Sequence, residues 1–119
     1  VPLEPEQLDR ISETKEIVIE TRRGDRAFRT IIWVVVDDGE VFVRSVRGEE
    51  GRWYQRALAD PKVALTVGDD RFDFAAVPAG DATSVERTSE ALSRKYRGRS
   101  LEMMLLPKTL DTTLRLDPL

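Results

Sequence analysis

The stretch Ala27-Phe28-Arg29-Thr30-Ile31-Ile32-Trp33-Val34-Val35-Val36, followed by Asp37-Asp38-Gly39 and then Glu40-Val41-Phe42-Val43-Arg44-Ser45-Val46, decides the fold. Its first part is dense in β-branched and aromatic residues, which suit a pleated, half-buried surface. Asp37-Asp38-Gly39 supplies turn chemistry, so the two runs read as an antiparallel hairpin. Upstream, Ile17, Ile19 and Thr21 alternate with Val18, Glu20 and Arg22, the period of a strand, and Gly24-Asp25 makes a turn before Ala27. Three antiparallel strands therefore follow one another.

Beyond Gly48 the period changes. Trp53, Tyr54, Ala57 and Leu58 fall on one helical stripe, which predicts a short helix over 49–59, stopped by Asp60-Pro61. Lys62 to Val67, Gly68-Asp69-Asp70 and Arg71 to Val77 read as a second hairpin, with Phe72, Phe74 and Ala76 on one face. Pro78 to Asp81 is a loop. Thr83-Ser84-Val85-Glu86 has the spacing of a capping box and opens a helix to about Arg97, closed by Gly98. The tail from Thr109 to Leu116 alternates and predicts a last strand. Leu8 and Ile11, with Pro5 at the start, predict an N-terminal helix over Glu4 to Thr14. The expectation is α+β: a small barrel of five or six mostly antiparallel strands decorated by short helices, with an open sheet as the alternative.

The 119 residues have room for one hydrophobic core, so residues 1–119 are expected to form a single domain. There is no Cys and no His. That excludes a disulfide framework, a thiol nucleophile, a Ser-His-Asp triad, a zinc finger and a haem held by the chain's own His or Cys. Chemistry must come from carboxylates, hydroxyls, Lys and Arg, or from a borrowed cofactor. The net charge of -3 argues against a general nucleic-acid binder. The longest apolar run, Ile31 to Val36, is far too short to cross a bilayer, so no membrane partner is expected. The acidic opening Val1-Pro2-Leu3-Glu4-Pro5-Glu6 shows no secretory signal, and the expected location is cytoplasmic. Between Arg22 and Arg56 there are eight Arg against six acids, which makes this window the expected seat of an anionic small ligand.

Taken in order, Glu20-Thr21-Arg22-Arg23-Gly24, Arg29-Thr30-Ile31-Ile32-Trp33-Val34-Val35, Val41-Phe42-Val43-Arg44-Ser45-Val46-Arg47-Gly48, Trp53-Tyr54-Gln55-Arg56-Ala57-Leu58 and Asp60-Pro61-Lys62-Val63 resemble the framework of the flavin-binding split-barrel superfamily. Within it they are most similar to the deazaflavin-dependent nitroreductases and a related uncharacterised bacterial family. The resemblance spans about residues 16 to 77. It implies a split β-barrel, a homodimer, and hydride transfer between a small organic substrate and flavin mononucleotide or the deazaflavin coenzyme. On that reading Arg29, Thr30, Arg44, Ser45, Arg47 and Gly48 hold the anionic part of the cofactor. Trp33 and Trp53 lie along its flat ring, and Tyr54 offers a catalytic hydroxyl. Position supports part of this, because Arg44 to Gly48 precede a helix N-terminus, where free N–H groups favour a phosphate. Each residue also has a plainer reading: both Trp residues and Tyr54 as core, Arg44 and Arg47 as surface charges paired with Glu49 or Glu50.

The same barrel could instead house a cofactor-free isomerase or cyclase, or a small-molecule-binding protein. Glu20 and Asp73 are the candidates there, because a carboxylate among apolar neighbours acquires a raised pKa and can act as acid or base. A dimeric binding module without chemistry is the third reading.

Overall fold

The apolar run at the centre of the sequence becomes the longest strand. In the computed structural model, which describes residues 3–119, Arg26–Asp37 forms the 12-residue strand β2. Val1 and Pro2 of the acidic opening segment lie outside the described residues. β2 pairs antiparallel with Glu16–Arg23 (β1) on one side and with Glu40–Val43 (β3) on the other. The β2–β3 turn places Asp38 at φ 48° and Gly39 at φ 76°, the twin left-handed residues of the turn that matches strand twist. Lys62–Val67 (β4), Asp70–Pro78 (β5) and Leu114–Pro118 (β6) complete a closed antiparallel barrel in the order β1-β2-β3-β6-β5-β4. The expected split barrel of five to six strands is thus a six-stranded one.

Period-two alternation fills its interior. Ile17 and Ile19, Ile32 and Val34, Val41 and Val43, Val63 and Leu65, Phe72 and Phe74, and Leu114 and Leu116 point inward in pairs from the six strands. A barrel of this size has an interior that side chains alone can fill. Pro5–Glu13 (α1) and Arg52–Ala59 (α2) close it with Ile11 and with Trp53, Tyr54 and Ala57. A second apolar cluster lies outside the barrel. There Val35 of β2 and Phe42 of β3 pack against Ala91, Leu92 and Tyr96 at the C-terminal end of Ala82–Lys95 (α3), and against Met104 of Arg99–Met104 (α4). Arg87 of α3 donates to Asp37 Oδ2 and Glu40 Oε1, each at 2.7 Å, and fixes the helix to the hairpin.

Five local readings change. β3 ends at Val43 rather than Val46, because Arg44 and Ser45 turn aside to bond Thr113 and Thr112. The helix expected over 49–59 divides into a 3-10 turn, Gly48–Glu50, and α2, with Gly51 between them. A Cβ on Gly51 would run into Ser45 Oγ, so only glycine lets the two segments meet there. α3 is capped by Asp81, whose carboxylate accepts from Ser84 N–H at 3.0 Å, rather than by a Thr83–Glu86 box. The helix also ends at Lys95, two residues earlier than expected. The final strand begins at Leu114 rather than Thr109. Pro107–Leu110 is a short helix (α5), and the Thr109, Thr112 and Thr113 hydroxyls donate to the carbonyls of Leu106, Thr109 and Leu110 at 2.8, 2.6 and 2.8 Å, closing local turns in place of a ladder.

Candidate functional site

The loop after β3 was the expected phosphate grip, and the side chains of Arg44 and Ser45 in it are engaged within the fold. Arg44 is only 1% exposed. Its Nε donates to Thr113 Oγ1 at 2.9 Å, Nη1 to Ser89 Oγ and the Met104 carbonyl at 3.0 Å, and Nη2 to the Val85 carbonyl at 3.0 Å. Four of its five N–H groups are thereby committed to α3, α4 and the turn before β6. Burial without a carboxylate partner pulls its pKa down to about 10. Ser45 Oγ donates to the Gly48 carbonyl at 2.8 Å. Gly48 sits at φ 65° against α5, where a Cβ would come within 2.8 Å of the Lys108 carbonyl. The helix N-terminus is at Gly51, separated from Gly48 by the 3-10 turn that carries Glu49 and Glu50.

Beside this loop, a cleft of about 540 Å³ runs between β2 and α2. That lies within the roughly 300–1,000 Å³ typical of small-molecule sites. Of the expected residues it gathers Thr30, Trp33, Arg44, Ser45, Arg47 and Trp53, and adds Phe28, Ile31, Ile32, Arg52 and Arg56. Arg29, Gly48 and Tyr54 do not line it. Arg29 is turned toward Glu20, with Nε 3.4 Å from Oε1. Tyr54 packs edge-on to Trp53 in the barrel core, with ring centroids 6.3 Å apart. Burial, with the charges of Glu49 and Asp111, pushes its phenol pKa up. Tyr54, expected to offer a catalytic hydroxyl, thus has its ring in the core and does not line the cleft.

The two ends of the cleft differ. At one end Trp33 stacks on Tyr96, with centroids 3.9 Å apart and planes 4° from parallel. The Tyr96 hydroxyl is pinned, accepting from Val34 N–H at 3.2 Å and donating to the Lys15 carbonyl. Glu16, the cross-strand partner of Trp33, lies here with Met104 and Ser100. At the other end, about 16 Å along β2 at the usual strand rise, the Arg56 guanidinium lies over Phe28 at 4.2 Å while its Nε donates to Thr21 Oγ1 at 2.8 Å. Arg26 approaches the same ring at 5.4 Å. Among the described residues, Arg23, Arg26, Arg47, Arg52 and Arg56 form no ion pair with a carboxylate. Burial, and then the charges of Arg52 and Arg23, lower the Arg56 pKa. Phe28, Arg52 and Arg56 were missed as site residues. The available signal was the four-residue spacing of Arg52 and Arg56, which puts both on one helix face inside the Arg-rich window.

The carboxylates of the cofactor-free reading sit elsewhere. Glu20, 4% exposed, faces outward from β1. It accepts from Arg71 Nη1 at 2.8 Å, with Arg29 at 3.4 Å and Arg22 at 3.8 Å. The hydrogen bond from Arg71 holds its pKa below the ordinary value of 4.5, opposite to the raised value expected of an acid or base. Asp73 is exposed and paired with Arg71 at 3.2 Å.

A closed antiparallel six-stranded barrel with short helices and a cleft along its second strand defines the split-barrel class. Solved structures of that class superpose on this chain at low identity. A candidate pyridoxamine 5'-phosphate oxidase from Listeria innocua matches with a TM-score of 0.70 and 17% identity over 95% of this chain and 90% of that one. The FAD-binding protein from Mycobacterium smegmatis matches at 0.66 and 17%, over 98% and 91%. The heme storage protein HutZ from Vibrio cholerae matches at 0.68 and 15%, over 100% and 92%. These likenesses show the fold. Residues 7–116 match the model of DUF2255, described as an uncharacterized protein conserved in bacteria, and the chain belongs to that family. No curated protein matches the sequence. Among the described residues, no helix is long and apolar enough to cross a membrane.

Proposed function

We propose that this chain binds a flavin-type cofactor in the cleft along β2 and acts as an oxidoreductase on a small organic substrate. One observation carries the reading: an aromatic and aliphatic cleft whose neighbouring arginines have, among the described residues, no carboxylate partners. Phe28, Ile32, Trp33 and Trp53 suit a flat conjugated ring, and Arg47, Arg52 and Arg56 suit an anionic side chain, so the donor set fits a flavin nucleotide. The split-barrel fold shared with the FAD-binding protein from Mycobacterium smegmatis supports it. When bound, a flavin or deazaflavin ring supplies hydride acceptance and donation. The chain's own residues position it. The Tyr96–Trp33 stack holds a rigid platform at one end, and the walls of β2 and α2 restrict water. Glu16, Thr30 and Ser100 are the polar groups beside the cleft that could orient a substrate or exchange a proton.

The homodimer implied by the family resemblance is part of this proposal. Ile31, on the rim of the cleft, is 65% exposed, and a second copy would cover it. Against the Glu20 and Asp73 alternative, both carboxylates are paired with Arg71, and the hydrogen bond from Arg71 lowers the Glu20 pKa. The test is an equilibrium titration of the purified protein with flavin mononucleotide and with the deazaflavin coenzyme, followed by absorbance and by Trp fluorescence. Saturable binding of either, at one per chain, supports the reading and names the electron carrier. Binding of neither rejects it.

A further inference from the structure

Resting on that reading, we infer that Arg52 and Arg56 form the anion clamp of the cleft, and that the chain selects phosphorylated over unphosphorylated flavins. Within the loop after β3, Arg44 and Ser45 are not part of the clamp. The contrast between these two groups of residues carries the inference. Arg44 directs four N–H groups to protein acceptors and is almost wholly buried. Ser45 Oγ is spent on the Gly48 carbonyl. Arg52 and Arg56 face the cleft one helical turn apart, and among the described residues neither is bonded to a carboxylate.

Arg56 is also preorganised. Thr21, which is 0% exposed, fixes its Nε at 2.8 Å, and the Phe28 ring supports the guanidinium plane at 4.2 Å. Both terminal nitrogens are thus left to meet a ligand without a further loss of side-chain freedom. Charge supports the same end. The only carboxylate lining the cleft among the described residues, Glu16, sits beside Trp33 at the opposite end. A ligand with a neutral flat head and a dianionic tail is therefore oriented head to Trp33 and tail to Arg56. A phosphomonoester fits this pairing, because its oxygens can accept from two guanidinium groups at once.

The experiment compares flavin mononucleotide with riboflavin by flavin fluorescence at low salt, for the native protein and for the R52Q/R56Q double variant, with far-ultraviolet circular dichroism confirming that each is folded. The native protein should bind the phosphorylated form about tenfold or more tightly. R52Q/R56Q should lose that preference while keeping its riboflavin affinity. The single R52E variant, at an exposed position, should weaken flavin mononucleotide alone and serves if the double variant does not fold. Equal binding of both flavins by the native protein, or a preference that survives in R52Q/R56Q or R52E, overturns the clamp while leaving the flavin reading intact. If neither flavin binds, that reading fails, and inorganic pyrophosphate decides the clamp alone. A rise in melting temperature in the native protein that R52E abolishes supports it, and no rise overturns it.

Discussion

Two groups of arginines on opposite flanks of β1 and β2 have different fates. Around Glu20, the side chains of Arg22, Arg29 and Arg71 converge on, and pair with, one nearly buried carboxylate. Around Phe28, Arg26 and Arg56 meet an aromatic ring and Arg56 a threonine hydroxyl, with the charges of Arg52 and Arg23 acting on Arg56. The first group holds strands together. The second carries charge without a carboxylate partner, among the described residues, at the mouth of a cleft, an arrangement that folding alone does not reward, since burial and then the repulsion of like charges lower the Arg56 pKa. Arginine count therefore says little, and the position of the nearest carboxylate says whether the cluster is structural or waiting for an anion.

The largest expected effect tests the structural side. Arg44→Ala removes a buried guanidinium bonded to Thr113, Ser89, Met104 and Val85, and should cost about 3–5 kcal/mol of stability, read as a lower urea midpoint. A loss below about 1 kcal/mol would mean that these bonds contribute little net stability. Next, Glu20→Gln removes the negative charge that three arginines share and should cost about 1–3 kcal/mol near neutral pH. Because the folded-state pKa of Glu20 lies below 4.5, its contribution is present above that value and is lost as pH falls through the folded pKa. The acid limb of the stability profile should therefore flatten in the variant, and an unchanged limb would remove Glu20 from the account.

Smaller effects sharpen the other side. Tyr96→Phe keeps the ring under Trp33 but loses the hydroxyl bonds to Lys15 and Val34, which should cost about 1 kcal/mol. It should also loosen the Trp33 end of the cleft, seen as weaker quenching of Trp fluorescence by bound flavin. Arg52→Gln should change stability by no more than about 0.5 kcal/mol in either direction, because no fold contact depends on its charge. Ile31→Glu should leave monomer stability equally unmoved and shift sedimentation toward the monomer. A dimer that persists unchanged would place the contact between copies elsewhere.

The fold was largely legible because its strands obey a strict period of two and its turns carry their own chemistry, as at Asp38-Gly39. What escaped depended on side chains reaching across the chain. Thr109, Thr112 and Thr113 alternate like a strand, yet their hydroxyls close turns, and Ser45 reaching to Gly48 beside Gly51 splits the expected helix. The site was half legible. The window from Arg22 to Arg56 pointed to the side of the barrel that carries the cleft, and Thr30, Trp33, Arg47 and Trp53 meet there. Sequence cannot say which arginine finds an internal acceptor. Arg44 finds four, Arg29 finds Glu20, and Arg56, among the described residues, finds a ring and a hydroxyl.

The most direct test of the central claim is a map of backbone amide chemical shifts as flavin mononucleotide is titrated into the isotopically labelled protein. The account predicts saturable shifts concentrated at residues 28–33 of β2, at Arg47 and at residues 51–56 of α2. Shifts centred on the Glu20 and Arg71 face, or no shifts at all, would contradict it.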